Sequence, residues 1–173
     1  MPDKYYTFEK GNIKFYVLDT NFDRMTKYQI NKQLKYIKDE IKKSKSKWNI
    51  LYGHHTYRSV GGHGNADDDL ETFLNSIFRM DKIDLYMCGH DHSKQLIIEK
   101  LPKNKYVHLL VCGTGGYGID DYYNEDNLDE NKSELLFYSK TPGTALISST
   151  NTKLDITFYN LSKPEFNYSI IKK

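Results

Sequence analysis

The chain has 173 residues, the length of a single domain on the rough prior of about 100–200 residues each. Twenty-five Lys and Arg against 23 Asp and Glu leave a formal net charge of +2, which gives no general electrostatic drive toward nucleic acid or a membrane surface. Counted with its 11 glycines and without its 15 tyrosines, the apolar share is about 36%, below the usual ~45–50%; tyrosine rings make up much of the deficit, so disorder is excluded but the supply of core is thin.

In chain order, the opening Met1-Pro2-Asp3-Lys4-Tyr5-Tyr6 has neither the basic-then-apolar layout of a secretion signal nor an amphipathic transit pattern. No secretion signal is expected, and localisation stays open. Ile13 to Leu18, bounded by Gly11-Asn12 and Asp19, reads as a buried strand. Thr26 and Gln29 have capping-box spacing, and Ile30, Leu34, Ile37 and Ile41 then recur every three or four residues, which predicts an amphipathic helix over 27–43. Trp48 to Tyr52 is a strand stopped at Gly53. Leu70, Phe73, Leu74, Ile77 and Phe78 mark a second helix, with Asp67-Asp68-Asp69 at its start, where carboxylates complement the helix dipole.

Ile83 to Cys88 is a further strand, stopped at Gly89. Strands are then expected near 95–99, 107–112, 135–139, 144–148, 153–159 and 166–171. Leu154, Ile156 and Phe158 fall on one face of the 153–159 strand. The acidic, Asn-rich stretch 120–132 reads as a surface loop. Cys88 and Cys112 end apolar runs and read as small buried residues, not as a bridge or a nucleophile. No apolar run reaches the ~20 residues of a membrane span. The first half is thus βαβαβ, the second mostly β, with no repeat and no linker across 1–173.

Four of the six histidines, His54, His63, His90 and His92, stand in glycine-flanked positions just past strand ends, and His55 adjoins His54. Strand ends of an α/β sheet are where loops hold functional side chains on a rigid base. Glycine before His54 and before His90 is expected to let the chain turn sharply. An extended Gly89-His90-Asp91-His92 segment would send two imidazoles the same way, as metal ligation needs. His108, inside an apolar strand, reads as structural.

Gly53-His54-His55, Gly62-His63-Gly64, Cys88-Gly89-His90-Asp91-His92 and Gly113-Thr114-Gly115-Gly116, preceded by Phe15-Tyr16-Val17-Leu18-Asp19-Thr20-Asn21, resemble the calcineurin-like metallophosphoesterases. The closest likeness is to the C-terminal half of the small, tartrate-resistant type of purple acid phosphatase. Met1-Pro2…Tyr5-Tyr6 also resembles an internal segment of that family. The resemblance implies an αββα sandwich of two mixed sheets between helix layers, of which this chain supplies the C-terminal side. It implies a dinuclear centre, iron with iron, zinc or manganese about 3.5–4 Å apart, hydrolysing phosphate monoesters. On that likeness His54 and His90 correspond to ligands of the second, divalent metal and His92 to a ligand of the first, ferric one. His63 corresponds to the histidine that binds phosphate and protonates the leaving alkoxide. His55 either orients substrate or packs beside His54.

The family's anionic ligands are not found here. No Gly-Asp pair occurs in the chain, and Gly11-Asn12 continues with Ile13 instead of histidine. Without a bridging carboxylate two nearby cations repel strongly, so His54 and His90 are expected to hold one soft divalent ion at most. The isolated chain is expected to be inactive, its inner sheet face bare and seeking either an N-terminal half chain or a second copy. A catalytically inactive relic or interaction module is the alternative. Neither nucleic acid nor a membrane is an expected partner.

Overall fold

The computed structural model describes residues 4–116, 118 and 121–172; Met1 and Pro2 of the opening segment and Asp120 at the head of the acidic stretch lie outside the described residues. A hairpin comes first. β1 (Tyr6–Lys10) and β2 (Ile13–Val17) pair antiparallel across the two-residue Gly11-Asn12 loop. Gly11 has a φ of 60°, the left-handed conformation that glycine adopts without steric cost. The pair expected only to bound a strand therefore turns a hairpin.

α1 (Lys27–Lys43) begins at a complete capping box: Gln29 N–H donates to Thr26 Oγ1 and Thr26 N–H donates to Gln29 Oε1. Its Ile37 and Ile41 are buried, with Ile30 and Leu34 packed at the margin. β3 (Trp48–Tyr52) leads through a long loop to α2 (Asp68–Phe78), whose N-cap Asp67 accepts from Leu70 N–H at 2.8 Å. β4 (Leu85–Cys88), β5 (Lys94–Leu101), β6 (Lys105–Cys112) and β7 (Ser133–Ser139) complete a seven-stranded sheet of order β1-β2-β3-β4-β6-β5-β7. Its centre, β2-β3-β4-β6, is parallel. The loops after β2, β3, β4 and β6 therefore all leave from one edge.

One sheet face carries Tyr16, Leu51, Tyr86, Ile97, Leu109 and Val111 against the helices, where they meet Ile37, Ile41, Phe73, Leu74 and Ile77. The other carries Ile13, Trp48, Ile50, Leu85, Leu96 and Leu110. This second face is not bare, contrary to expectation. A three-stranded sheet, β8 (Gly143–Ser149), β9 (Lys153–Asn160) and β10 (Pro164–Ile171) in the order β10-β9-β8, lies across it and buries Leu154, Ile156 and Phe158 completely. The strict two-residue alternation of β9 is what supplies the cover. The fold is a mixed α/β sandwich with helices on one side of the larger sheet.

Two polar ties hold the small sheet in place. Lys94, fully buried on β5, reaches Tyr159 O at 2.9 Å and Thr141 Oγ1 at 3.1 Å and pairs with Glu165. Lys172 pairs with Asp84 at 2.7 Å and lies 4.5 Å from the Trp48 ring centroid. His108 is structural, its Nδ1 3.3 Å from Asp84 O and its Nε2 3.4 Å from Tyr168 Oη. No helix among the described residues is long and apolar enough to cross a bilayer.

Truncating a fully buried β9 side chain such as Ile156→Ala should cost about 2–5 kcal/mol in urea unfolding, the range for deleting a core aliphatic. Leu161→Ala, 86% exposed, should stay within about 0.5 kcal/mol of the parent. Equal effects would mean that the small sheet does not cover the large one.

Candidate metal centre

β3 and β4 are parallel neighbours, so the residues that follow them emerge side by side. His54 and His55 follow β3; His90 and His92 follow β4. His90 Nδ1 lies 3.0 Å from His54 Nε2. The His55 ring is 4.9 Å from that of His54 and 4.6 Å from that of His90, and the ligand atoms of the three residues lie within 4.8 Å of one another. His63, on the loop leading to α2, stacks on His90 with centroids 3.9 Å apart. His92 is edge-on to His63 at 6.1 Å and is not a member of the three-imidazole group.

The backbone achieves this differently from expectation. The left-handed residue at the β4 exit is His90 itself, with φ 60°, in a bend and not an extended segment. A non-glycine residue there is uncommon and stores strain at the site. Gly53 is required by close approach instead of a turn: a Cβ would lie 2.6 Å from Thr20 Cγ2.

Two side chains that the sequence did not single out organise the cluster. Thr20 Oγ1 accepts the backbone N–H groups of His54 and His55, each at 3.2 Å, and lies 2.8 Å from His55 Nδ1. Asp91, between His90 and His92 in the sequence, is fully buried. Its carboxylate accepts from the Ser59 hydroxyl and, at 2.7 Å, from His63 N–H, tying the His63 loop to the His90 bend. The acidic loop braces the same segment from outside: Asn124 N–H donates to Val60 O at 2.9 Å and Asn127 Nδ2 to Ser59 O at 3.2 Å.

Burial, then the neighbouring imidazoles of His63, His55, His54 and His92, push the His90 pKa down to about 4. Burial and His54 lower that of His55 as well. Both rings are therefore neutral near pH 7, the state in which an imidazole can ligate.

Residues 2–94 match the calcineurin-like phosphoesterase family. The chain belongs to that family. Purple acid phosphatase 4 of Arabidopsis thaliana is 33% identical over 122 residues, covering 70% of this chain and 34% of the relative. Purple acid phosphatase 3 of the same plant is 31% identical over 135 residues, covering 76% and 34%. The chain thus spans about a third of the length of these curated relatives. Among solved structures, purple acid phosphatase PPD1 from yellow lupin (Lupinus luteus) seeds superposes with a TM-score of 0.69 at 16% identity, over 96% of this chain and 32% of that one. GAP50, the anchor in the inner membrane complex of Plasmodium, gives 0.72 at 21%, over 100% and 56%. These two likenesses establish the fold.

Members of the calcineurin-like phosphoesterase family use two metal ions, so the donors present decide what this site accepts. Two nitrogens bound at about 2.0–2.1 Å to one tetrahedral ion sit about 3.3 Å apart; the 3.0 Å between His54 and His90 is within a few tenths of an ångström of that. Imidazole donors suit zinc and its neighbours. No carboxylate joins the group among the described residues, and Asp91 is committed to Ser59 and His63. The described residues fit one ion and do not fit two.

The lowered His90 pKa has a sign that can be tested. Between about pH 6.5 and about pH 4 the unfolded chain takes up a proton that folded His90 refuses, so stability should fall as pH drops through that window. Urea melts at a series of pH values should show the fall in the metal-free protein and a shallower one in His90→Ala. An unchanged slope in the variant would show that His90 titrates normally.

Proposed function

We propose that this chain carries the histidine side of a phosphate-monoester hydrolase centre that is completed by a second, carboxylate-bearing half. The observation that carries the reading is the meeting of His54, His90 and His63 at one sheet edge, with His54 and His90 facing each other at 3.0 Å, in a chain of this family. His54 and His90 would hold the divalent ion and His92 would serve the ferric position. A divalent ion held there would supply Lewis-acid chemistry to a phosphoryl oxygen. His63 contacts the phosphate and, when protonated, gives its proton to the oxygen of the departing alcohol. Asp91 keeps the His63 backbone in place for that transfer.

The completing half would bring the anionic ligands and dock beside β8. In support, β8 pairs only with β9 among the described residues, and an unpaired strand edge is a template for another strand. An apolar cleft of about 350 Å³ lined by Tyr52, Met87, Cys112, Ala145 and Ile147 opens beneath that edge, next to the histidines. A second reading is a non-catalytic interaction module. It is favoured by the all-imidazole donor set and by the likeness in fold to GAP50, which is itself an anchor.

The purified chain alone, supplied with iron, zinc or manganese, should not hydrolyse an aryl phosphate above background. Adding the N-terminal half of a family enzyme as a separate chain should restore turnover. His90→Ala should then abolish it, and His63→Ala should reduce it by roughly 10²–10⁴-fold, the range for a lost acid–base group, with metal content intact. No turnover with the half bound would favour the interaction module. Turnover by the chain alone would mean that its own residues complete a site.

A further inference from the structure

The three-imidazole group invites the reading that His54, His55 and His90 all ligate one ion. The hydrogen bonding of Thr20 argues otherwise for His55. Thr20 is 4% exposed, and its Oγ1 has three partners: His54 N–H at 3.2 Å, His55 N–H at 3.2 Å and His55 Nδ1 at 2.8 Å. A hydroxyl offers two acceptor lone pairs and one proton. The two backbone N–H groups occupy the lone pairs, so the hydroxyl proton goes to Nδ1. A neutral imidazole that accepts at Nδ1 carries its own proton on Nε2.

We propose that Thr20 locks His55 as the Nε2–H tautomer, so that His55 faces the site as a hydrogen-bond donor to a phosphoryl oxygen and not as a third metal ligand. The role as phosphate donor rests on the phosphoester reading above; the tautomer does not. A metal ligand needs a bare ring nitrogen, and ligating histidines ordinarily donate their other N–H to an acceptor. Here the relation is reversed: Thr20 gives a proton to the ring instead of receiving one. The residue is also fixed from behind, because Tyr86 Oη donates to His55 O at 2.6 Å. Gly53 is part of the same device, since a side chain at that position would collide with Thr20.

Long-range ¹H–¹⁵N correlation spectra of the histidine-labelled chain read the tautomer directly. His55 should show a protonated Nε2 and a bare Nδ1 both without metal and with zinc added, while zinc shifts the ring nitrogens of His54 and His90. Inorganic phosphate added to the zinc form should shift the His55 Nε2–H resonance. Thr20→Val removes the hydroxyl and keeps the shape; His55 should then lose the fixed tautomer, and its Nε2 should take on a zinc-bound shift. Thr20→Ser should restore the parent spectrum, and this variant with the parent protein suffices if the valine form does not fold. A bare or zinc-bound Nε2 on His55 in the parent chain would overturn the proposal, as would a phosphate titration that leaves the His55 resonance unmoved. Zinc that fails to shift His54 and His90 would instead contradict the metal reading and leave the tautomer result standing.

Discussion

The parallel pairing of β3 with β4 brings the histidines together, and most of the site depends on its register. Ile50 lies opposite Leu85, Leu51 opposite Tyr86 and Tyr52 opposite Met87. The ladder continues past the strand ends, with Gly53 N–H donating to Met87 O and Gly89 N–H to His54 O, each at 3.1 Å. His54 and His90 are thereby delivered to one point by backbone hydrogen bonds. A one-residue slip would turn every side chain to the opposite face, separating the two imidazoles and exposing Leu51 and Tyr86 to the wrong layer. The register is itself held by burial on both faces: Ile50 and Leu85 against the small sheet, Leu51 and Tyr86 against the helices.

Around that pairing, buried polar groups fix the loops. Asp91 and Thr20 act at two sides of the cluster, one on the His63 loop and one on the His54-His55 turn. Each is nearly or fully buried, and each is satisfied by loop backbone together with one side chain, Ser59 for Asp91 and the His55 ring for Thr20. Buried groups of this kind are costly when left unpaired, so the loops are held in one arrangement. Imidazoles without a carboxylate offset little of the repulsion between two cations. Charge, more than space, limits what the described residues can bind.

Much of this was legible in the sequence because it is periodic or local. The helix over 27–43 and the inward face of β9 follow from spacing, the strand over 48–52 from an apolar run stopped by glycine, and the acidic start of α2 from its three aspartates. The β1–β2 hairpin has a weaker signal: Gly-Asn between two strand-like runs can turn a hairpin, but the first run, Tyr6–Lys10, is short and mostly exposed. Thr20 and Asp91 could not be found that way. Their partners lie 35 and 28 positions distant, and nothing in a Thr or an Asp announces which distant loop it will face. The cover over the second sheet face is hidden for a related reason: the sequence marks the three strands that supply it, but their stacking on the large sheet is a tertiary arrangement that alternation does not specify.

The described residues fit one ion through imidazole nitrogens and lack the charge to fit two. X-ray absorption fine structure of the zinc-loaded chain decides between one ion and two. One zinc per chain should appear, with nitrogen and oxygen neighbours at about 2.0–2.1 Å and imidazole outer-shell scattering. His90→Ala should remove that imidazole signature. A second metal at about 3.5–4 Å from the first, the spacing of a two-metal centre, would contradict the claim and show that the chain completes a dinuclear site by itself.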